Sequence, residues 1–251
     1  MRLFETVQAW REFRQRLPAG SLGLVPTMGA LHDGHMALIE KCRRENQHTV
    51  VSIFINPTQF DDPRDLARYP QSFQQDLDLL ERAGVDYVLL PPAEDIYPDD
   101  YRFKISETEL SKRFCGAHRP GHFDGVLTVV MRLLNIIRPA RTYFGEKDYQ
   151  QLKLIEQMVQ AFFLEVEIVP VTTRRAADGL ALSSRNRLLD KQQRQLAAKL
   201  HQVLRASSSP DQARTLLEEL GFQVDYVADF RQRRLAAALL GDIRLIDNVP
   251  L

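Results

Sequence analysis

Five apolar runs occur in the first two thirds of the chain: Leu22–Val25, Thr49–Ile55, Tyr87–Leu90, Thr142–Phe144 and Val166–Val171. They are rich in β-branched and aromatic residues, which favours strands. Between them lie Met36–Glu45, Ser72–Ala83, Gly125–Ile137 and Tyr149–Phe163, whose apolar positions recur at helical spacing. The residues before Trp10 read as a short strand leading into a helix. Continuous apolar strands alternating with amphipathic helices predict a parallel sheet covered on both faces, a doubly wound α/β fold. Stop signals agree with these bounds: Gly84 after a helix, Pro91-Pro92 after a strand, and Pro139 after Asn135-Ile-Ile-Arg138.

Past Val171 the texture changes. A polar, arginine-rich stretch runs from Thr172 to Arg187, followed by helical patterns over Asp190–Ala206 and Asp211–Leu220, divided by Ser207-Ser-Ser-Pro210. The tail holds Phe222–Phe230, Leu235–Leu240 and Ile243–Ile246. The alanines of the middle segment suit a helix, but its spacing also fits a strand, and strand is the reading adopted. The expected division is 1–173, carrying the parallel sheet, and 174–251, a smaller α+β domain.

Composition narrows the function. The 251 residues are 44% hydrophobic, and 33 Lys plus Arg balance 33 Asp plus Glu, so no positive field recommends a nucleic acid. No apolar run approaches the ~20 residues of a membrane span, and the start has no signal-peptide core. A soluble cytoplasmic protein is expected. Cys42 falls on a helix and reads as a packed thiol. Cys115, His118 and His122 are three metal-capable side chains in a short span, but a structural zinc needs a fourth ligand, and none lies near.

The chemistry concentrates in the loops after the strands, where α/β sheets bind ligands. The first strand runs into Thr27-Met-Gly-Ala-Leu-His32-Asp-Gly-His35, just before a helix. Helix N-termini favour phosphate, Gly29 and Gly34 permit close backbone approach, and two imidazoles can stabilise charge building on a phosphoryl group. The second strand ends in Asn56-Pro-Thr-Gln59, which offers neutral amides for hydroxyl or carboxylate groups. The fourth ends in Gly145-Glu-Lys147-Asp148: a lysine to neutralise polyphosphate, and an aspartate to hold magnesium through water. Ser183, Ser184 and Arg185 add two hydroxyls and a guanidinium. Arg119-Pro-Gly-His122-Phe-Asp-Gly125 reads as a loop that shapes the pocket. Together these pieces describe a nucleotide site.

With those residues in hand, the sequence closely resembles the pantoate–β-alanine ligases of the H-x-G-H nucleotidyltransferase superfamily. The resemblance is carried by Val25–His35, Ser52–Phe60, Asp65–Pro70, Arg119–Val126, Phe144–Gln151, Asp178–Asn186 and Gly241–Asn248, in family order over nearly the whole chain. It implies a Rossmann-like sheet with a small C-terminal lid domain, and an ATP-dependent, magnesium-assisted ligation through pantoyl adenylate. It further implies that Met28, Gly29, Ala30, Leu31, His32, Asp33, Gly34 and His35 bind ATP, with His35 and His32 acting in catalysis beside Lys147 and Arg185. Gly145, Glu146, Lys147, Asp148, Leu182, Ser183, Ser184 and Arg185 would close over the nucleotide, with Asp148 serving the metal. Gln59, Gln151 and Asn56 would hold pantoate, and Gln59 also β-alanine. A homodimer is implied by likeness alone.

Three positions depart from the family pattern. The second domain looks short between about Ala206 and Phe222, Arg174 stands where an apolar residue usually meets adenine, and Gln71 replaces an arginine. Two competing readings lie close by. A nucleotidyltransferase with a phosphate-bearing acceptor would want more cations near the acceptor than Gln59 and Gln151 supply. A regulator that had lost catalysis would not need His32, His35, Lys147 and Arg185 together.

Overall fold

The computed structural model describes all residues from Met1 to Leu251. Its main sheet contains β1 (Arg2–Phe4), β2 (Leu22–Thr27), β3 (His48–Ile53), β4 (Tyr87–Leu89), β5 (Arg141–Gly145) and β6 (Glu167–Val171). They lie in the order β1-β4-β3-β2-β5-β6, and every neighbouring pair is parallel. Ten helices accompany the strands: α1 (Val7–Arg14), α2 (Asp33–Glu45), α3 (Pro63–Arg68), α4 (Phe73–Arg82), α5 (Ala93–Ile96), α6 (Cys115–His118), α7 (His122–Ile137), α8 (Tyr149–Ala161), α9 (Lys191–Ala206) and α10 (Pro210–Glu219).

Period-two alternation sends successive strand residues to two separate cores. Leu22, Leu24 and Phe144 join Trp10 of α1, Leu127 of α7 and Ile155 of α8. Val25, Val51 and Tyr143 join Ile39 of α2 and Leu80 of α4. Both faces are therefore covered, which is why the strands read as apolar throughout. No helix is long and apolar enough to cross a membrane.

The remaining strands, β7 (Gln223–Phe230), β8 (Arg233–Leu240) and β9 (Ile243–Pro250), form an antiparallel sheet of their own. Its middle strand contains the segment that composition left ambiguous. Ala236, Ala238 and Leu240 face a second cluster with Leu200, Leu204 and Leu217 from α9 and α10, whereas Leu235 and Ala237 belong to the main core. A strand pressed from both sides accepts small residues, and helix propensity is overridden.

Several boundaries differ from the sequence reading. Helix α2 starts at Asp33 rather than Met36, because the His32 ring caps it by accepting from the Gly34 amide. Helix α7 starts at His122, so the second half of the expected 119–125 loop is helical, and Cys115–His118 is a short helix. Strand β9 continues past Ile246 to Pro250.

Candidate functional site

Strand order fixes the location of the site. From β2 the chain steps one way to β3 and β4, then returns to pair β5 on the other side of β2. The loops leaving β2 and β5 thus diverge above a topological switch point, where α/β sheets hold ligands. A cleft of about 630 Å³ opens there, a size typical of small-molecule sites. It is lined from the first domain by Met28, His32, Gly34, His35, Gln59, Gly145, Lys147, Asp148 and Gln151, and from the second by Leu182, Ser183, Ser184 and Arg185. The loops singled out in the sequence therefore converge.

The two imidazoles stack with ring centroids 4.1 Å apart. His32 Nδ1 accepts from the Gly34 N–H at 3.1 Å, so in the neutral ring the proton sits on Nε2. Burial, then the charges of Lys147 and Arg187, lower the His32 pKa to about 4. Burial, His32 and Lys147 lower that of His35 to about 3. Both rings are neutral at physiological pH and act as dipolar hydrogen-bonding groups. That Lys147 depresses both values also reports its nearness to them.

The backbone of this turn behaves differently from expectation. The Gly29 amide donates to Thr27 Oγ1, Ala30 and Leu31 donate to the two oxygens of Asp76 at 2.8 Å each, and Gly34 donates to His32. Four amides of this turn are thus already taken, and phosphate recognition there shifts toward side chains. Asp76 is 1% exposed and also accepts from the Ser72 hydroxyl. It holds Gly29 (φ 79°) and Ala30 (φ 50°) in the left-handed region, where only Gly29 is unstrained. Sequence reasoning missed it. The available signal was a carboxylate one helical turn before Leu80, on the core-facing stripe of α4.

Gln59 is pinned from both ends. Its Oε1 accepts from Asn56 Nδ2 at 2.9 Å, and its backbone carbonyl accepts from His122 Nδ1 and from Arg119. Burial, then the adjacent Arg119, lowers the His122 pKa to about 3 and keeps that ring neutral. Of the Gln59 amide, only the NH₂ end remains for a ligand, which must present an oxygen. Asn56 itself is 1% exposed. Its Oδ1 accepts from Tyr97 and Thr58, and its Nδ2 also reaches the Gly125 carbonyl. It lines the cleft, but its amide is saturated inside the protein and orients Gln59. Gly125 is required here, because a Cβ would collide with the Thr58 carbonyl.

The adjacent glutamines of α8 divide in the same way. Gln150 is buried and donates to the carbonyls of Leu110 and Arg113 while accepting from the Cys115 amide. Gln151, one residue on, lines the cleft and forms no hydrogen bond within the protein.

The Lys147 ammonium lies 3.7 Å from the Asp148 carboxylate, whose side chain is 45% exposed. Ser184 is 6% exposed and donates to the Ala30 carbonyl, so of the two serines only Ser183 is open to a ligand. Arg185 lines the cleft but forms two hydrogen bonds with Asp65. A phosphate would have to share it. Arg187, which the sequence reading passed over, donates to the Leu31 carbonyl. Gly29, Ala30, Leu31, Asp33 and Glu146 do not line the cleft. Ala30 and Leu31 point into the core, Asp33 faces solvent, and Glu146 pairs with Arg233 at 2.8 Å. Cys115, His118 and His122 form no metal cluster, since the Cys115 thiol contacts Tyr226 and Arg244 instead. Cys42 is a packed thiol, its pKa pushed up by burial to about 12.

Comparison with known proteins places this geometry in a lineage. The pantoate-beta-alanine ligase family profile matches residues 2–250. The pantothenate synthetase of Bdellovibrio bacteriovorus is 53% identical over 97% of this chain and 96% of its own. That of Legionella pneumophila (strain Corby) is 47% identical over the full length of both. Both relatives are thus matched over nearly their whole length. Among solved structures, the Francisella tularensis pantoate-beta-alanine ligase, complexed with beta-gamma ATP and beta-alanine, superimposes with a TM-score of 0.95 at 40% identity, covering 100% of this chain and 97% of its own. Pantothenate synthetase from Thermus thermophilus gives 0.91 at 41% identity, covering 100% and 99%. The chain belongs to the pantoate-beta-alanine ligase family.

Proposed function

We propose that this protein condenses pantoate with β-alanine at the expense of ATP, releasing AMP and pyrophosphate. The triphosphate lies across His32, His35 and Lys147, with Ser183 and Arg185 closing from the second domain, 174–251, over the first, 1–173. The observation that carries the reading is the convergence of two neutral imidazoles and one ammonium beside Gln59 and Gln151, two amides with donors to spare.

In the first step the pantoate carboxylate attacks the α-phosphorus, a P–O bond forms, and the bond to pyrophosphate breaks. No protein nucleophile is needed. Lys147 offsets the charge of the polyphosphate, and the His32 Nε2–H donates to an oxygen whose charge grows in the transition state. In the second step the neutral β-alanine amine attacks the mixed-anhydride carbonyl, a C–N bond forms, the acyl C–O bond to phosphate breaks to release AMP, and the nitrogen's proton passes to solvent. Gln59 and Gln151 orient pantoate through its oxygens.

Magnesium fits the donor set. Asp148 is a half-exposed carboxylate at the cleft with no group of three or more acidic or imidazole side chains around it. Such a site suits an ion held mostly by phosphate oxygens and water, and bound there it would screen phosphate charge. Family likeness supports a homodimer and a cytoplasmic setting.

The test is isotope exchange between ATP and pyrophosphate. Exchange should require pantoate and proceed without β-alanine, and adding β-alanine should give AMP and pantothenate together. Exchange that ignores pantoate, or that responds equally to unrelated hydroxy acids, would refute the assignment.

A further inference from the structure

Asn248 lies near the end of β9, in the second domain, and is 2% exposed. Its Nδ2 donates to two consecutive carbonyls of the first domain, Glu146 at 2.9 Å and Lys147 at 3.0 Å. Its Oδ1 accepts from Arg233 Nη1 at 2.7 Å, so the amide cannot flip without setting Oδ1 against those carbonyls. The other terminal nitrogen of Arg233, Nη2, pairs with the Glu146 carboxylate at 2.8 Å. Behind Asn248, its own amide donates to Asp247, a buried carboxylate held at both oxygens by Arg175. The turn carrying Lys147 is thus gripped at two carbonyls and one side chain, entirely by residues of β8 and β9.

We infer that Asn248 is a positioning residue: seated by Arg233, it sets the Gly145–Asp148 turn so that the Lys147 ammonium faces the phosphates, and it makes that placement depend on the second domain. The inference rests on the proposed role of Lys147 and extends it.

Three features favour this over ordinary packing. The donors of Asn248 are spent on the carbonyls of the two peptide units on either side of the Lys147 Cα, not on the scaffold behind them. The turn itself is a single 3-10 turn, Glu146–Asp148, with no side-chain cap, so it has little of its own to fix its course. Gly145, at its start, has open space around it and does not brace it either. Without Asn248 the two carbonyls lose their partners, and a shift of about 1 Å in a charged group beside reacting atoms costs on the order of 10²-fold in rate.

A double-mutant cycle on pantoate-dependent ATP–pyrophosphate exchange tests the inference, using Asn248→Ala, Lys147→Ala and the pair. Asn248→Ala alone should lose roughly 10²-fold. In the Lys147→Ala background it should lose almost nothing more, because there is no ammonium left to misplace. Equal losses in both backgrounds would overturn the inference and make Asn248 a structural residue only. Full activity in Lys147→Ala alone would instead refute the role of Lys147, so the two failures are distinguishable. Thermal melting of each variant shows whether it is folded. Should Asn248→Ala not fold, Arg233→Met keeps Asn248 but frees its amide to turn; a loss that vanishes in the Lys147→Ala background supports the inference, and one that persists there overturns it.

Discussion

Replacing Asp76 with alanine should damage both stability and catalysis, though the residue lines no part of the cleft. The carboxylate is buried and accepts the Ala30 and Leu31 amides at 2.8 Å each. Hydrogen bonds to a charged partner contribute about 1.5–3 kcal/mol apiece, and their loss leaves two donors buried without acceptors. Asp76→Ala should therefore cost roughly 3–6 kcal/mol, a large part of the stability of an ordinary domain. Asp76→Asn retains one acceptor oxygen and should cost roughly half as much. The catalytic effect follows from backbone strain. Ala30 sits at φ 50°, a conformation costing an alanine about 1–2 kcal/mol, and Asp76 is what holds it there. Once released, the turn relaxes and carries His32 with it, which should lower exchange by on the order of 10²-fold. Urea denaturation gives the first quantity and ATP–pyrophosphate exchange the second. A cost under about 1 kcal/mol, usual for surface positions, together with normal exchange, would refute the reasoning.

Other outcomes follow from the same contacts. Gln150→Ala should lower the melting temperature, because it strands two carbonyls and an amide, whereas Gln151→Ala should leave melting unchanged and raise the KM for pantoate. Gly125→Ala should push the Thr58 carbonyl away, disturb Gln59, and raise the same KM with a loss of stability visible in urea. His32, His35 and His122 titrate below their ordinary value near 6.5 in the folded chain, His32 near 4 and the others near 3. As pH falls from about 6.5 toward 4, the unfolded chain takes up protons that the folded chain refuses, so stability should fall across that window. The urea midpoint should drop accordingly, and less in His122→Asn; a flat profile would contradict the buried neutral imidazoles.

Much of the fold was legible because both sheet faces are covered: strands such as Leu22–Val25 and Thr49–Ile55 are mostly apolar with no polar alternation, and the helices between them keep one wet face. The short helices α3, α5 and α6 left no periodic signal, being one or two turns long and held by tertiary contacts. The start of α2 was hidden because imidazole is an uncommon cap. Within the site, the residue types were readable but their allocation was not. Asn56 and Gln59, or Gln150 and Gln151, are chemically alike, and only the packing of α7 and α8 decides which amide is spent inside the protein. Asp76 and Asn248 act through backbone contacts across long sequence separations; the core-facing position of Asp76 on α4 hinted that it was buried, but nothing local named its partners.

Labelling the pantoate carboxylate with oxygen-18 and analysing the products by mass spectrometry tests the central claim most directly. If that carboxylate displaces pyrophosphate from the α-phosphorus in this cleft, one labelled oxygen will appear in AMP for each pantothenate formed, and none in pyrophosphate. Unlabelled AMP, or label in pyrophosphate, would contradict it.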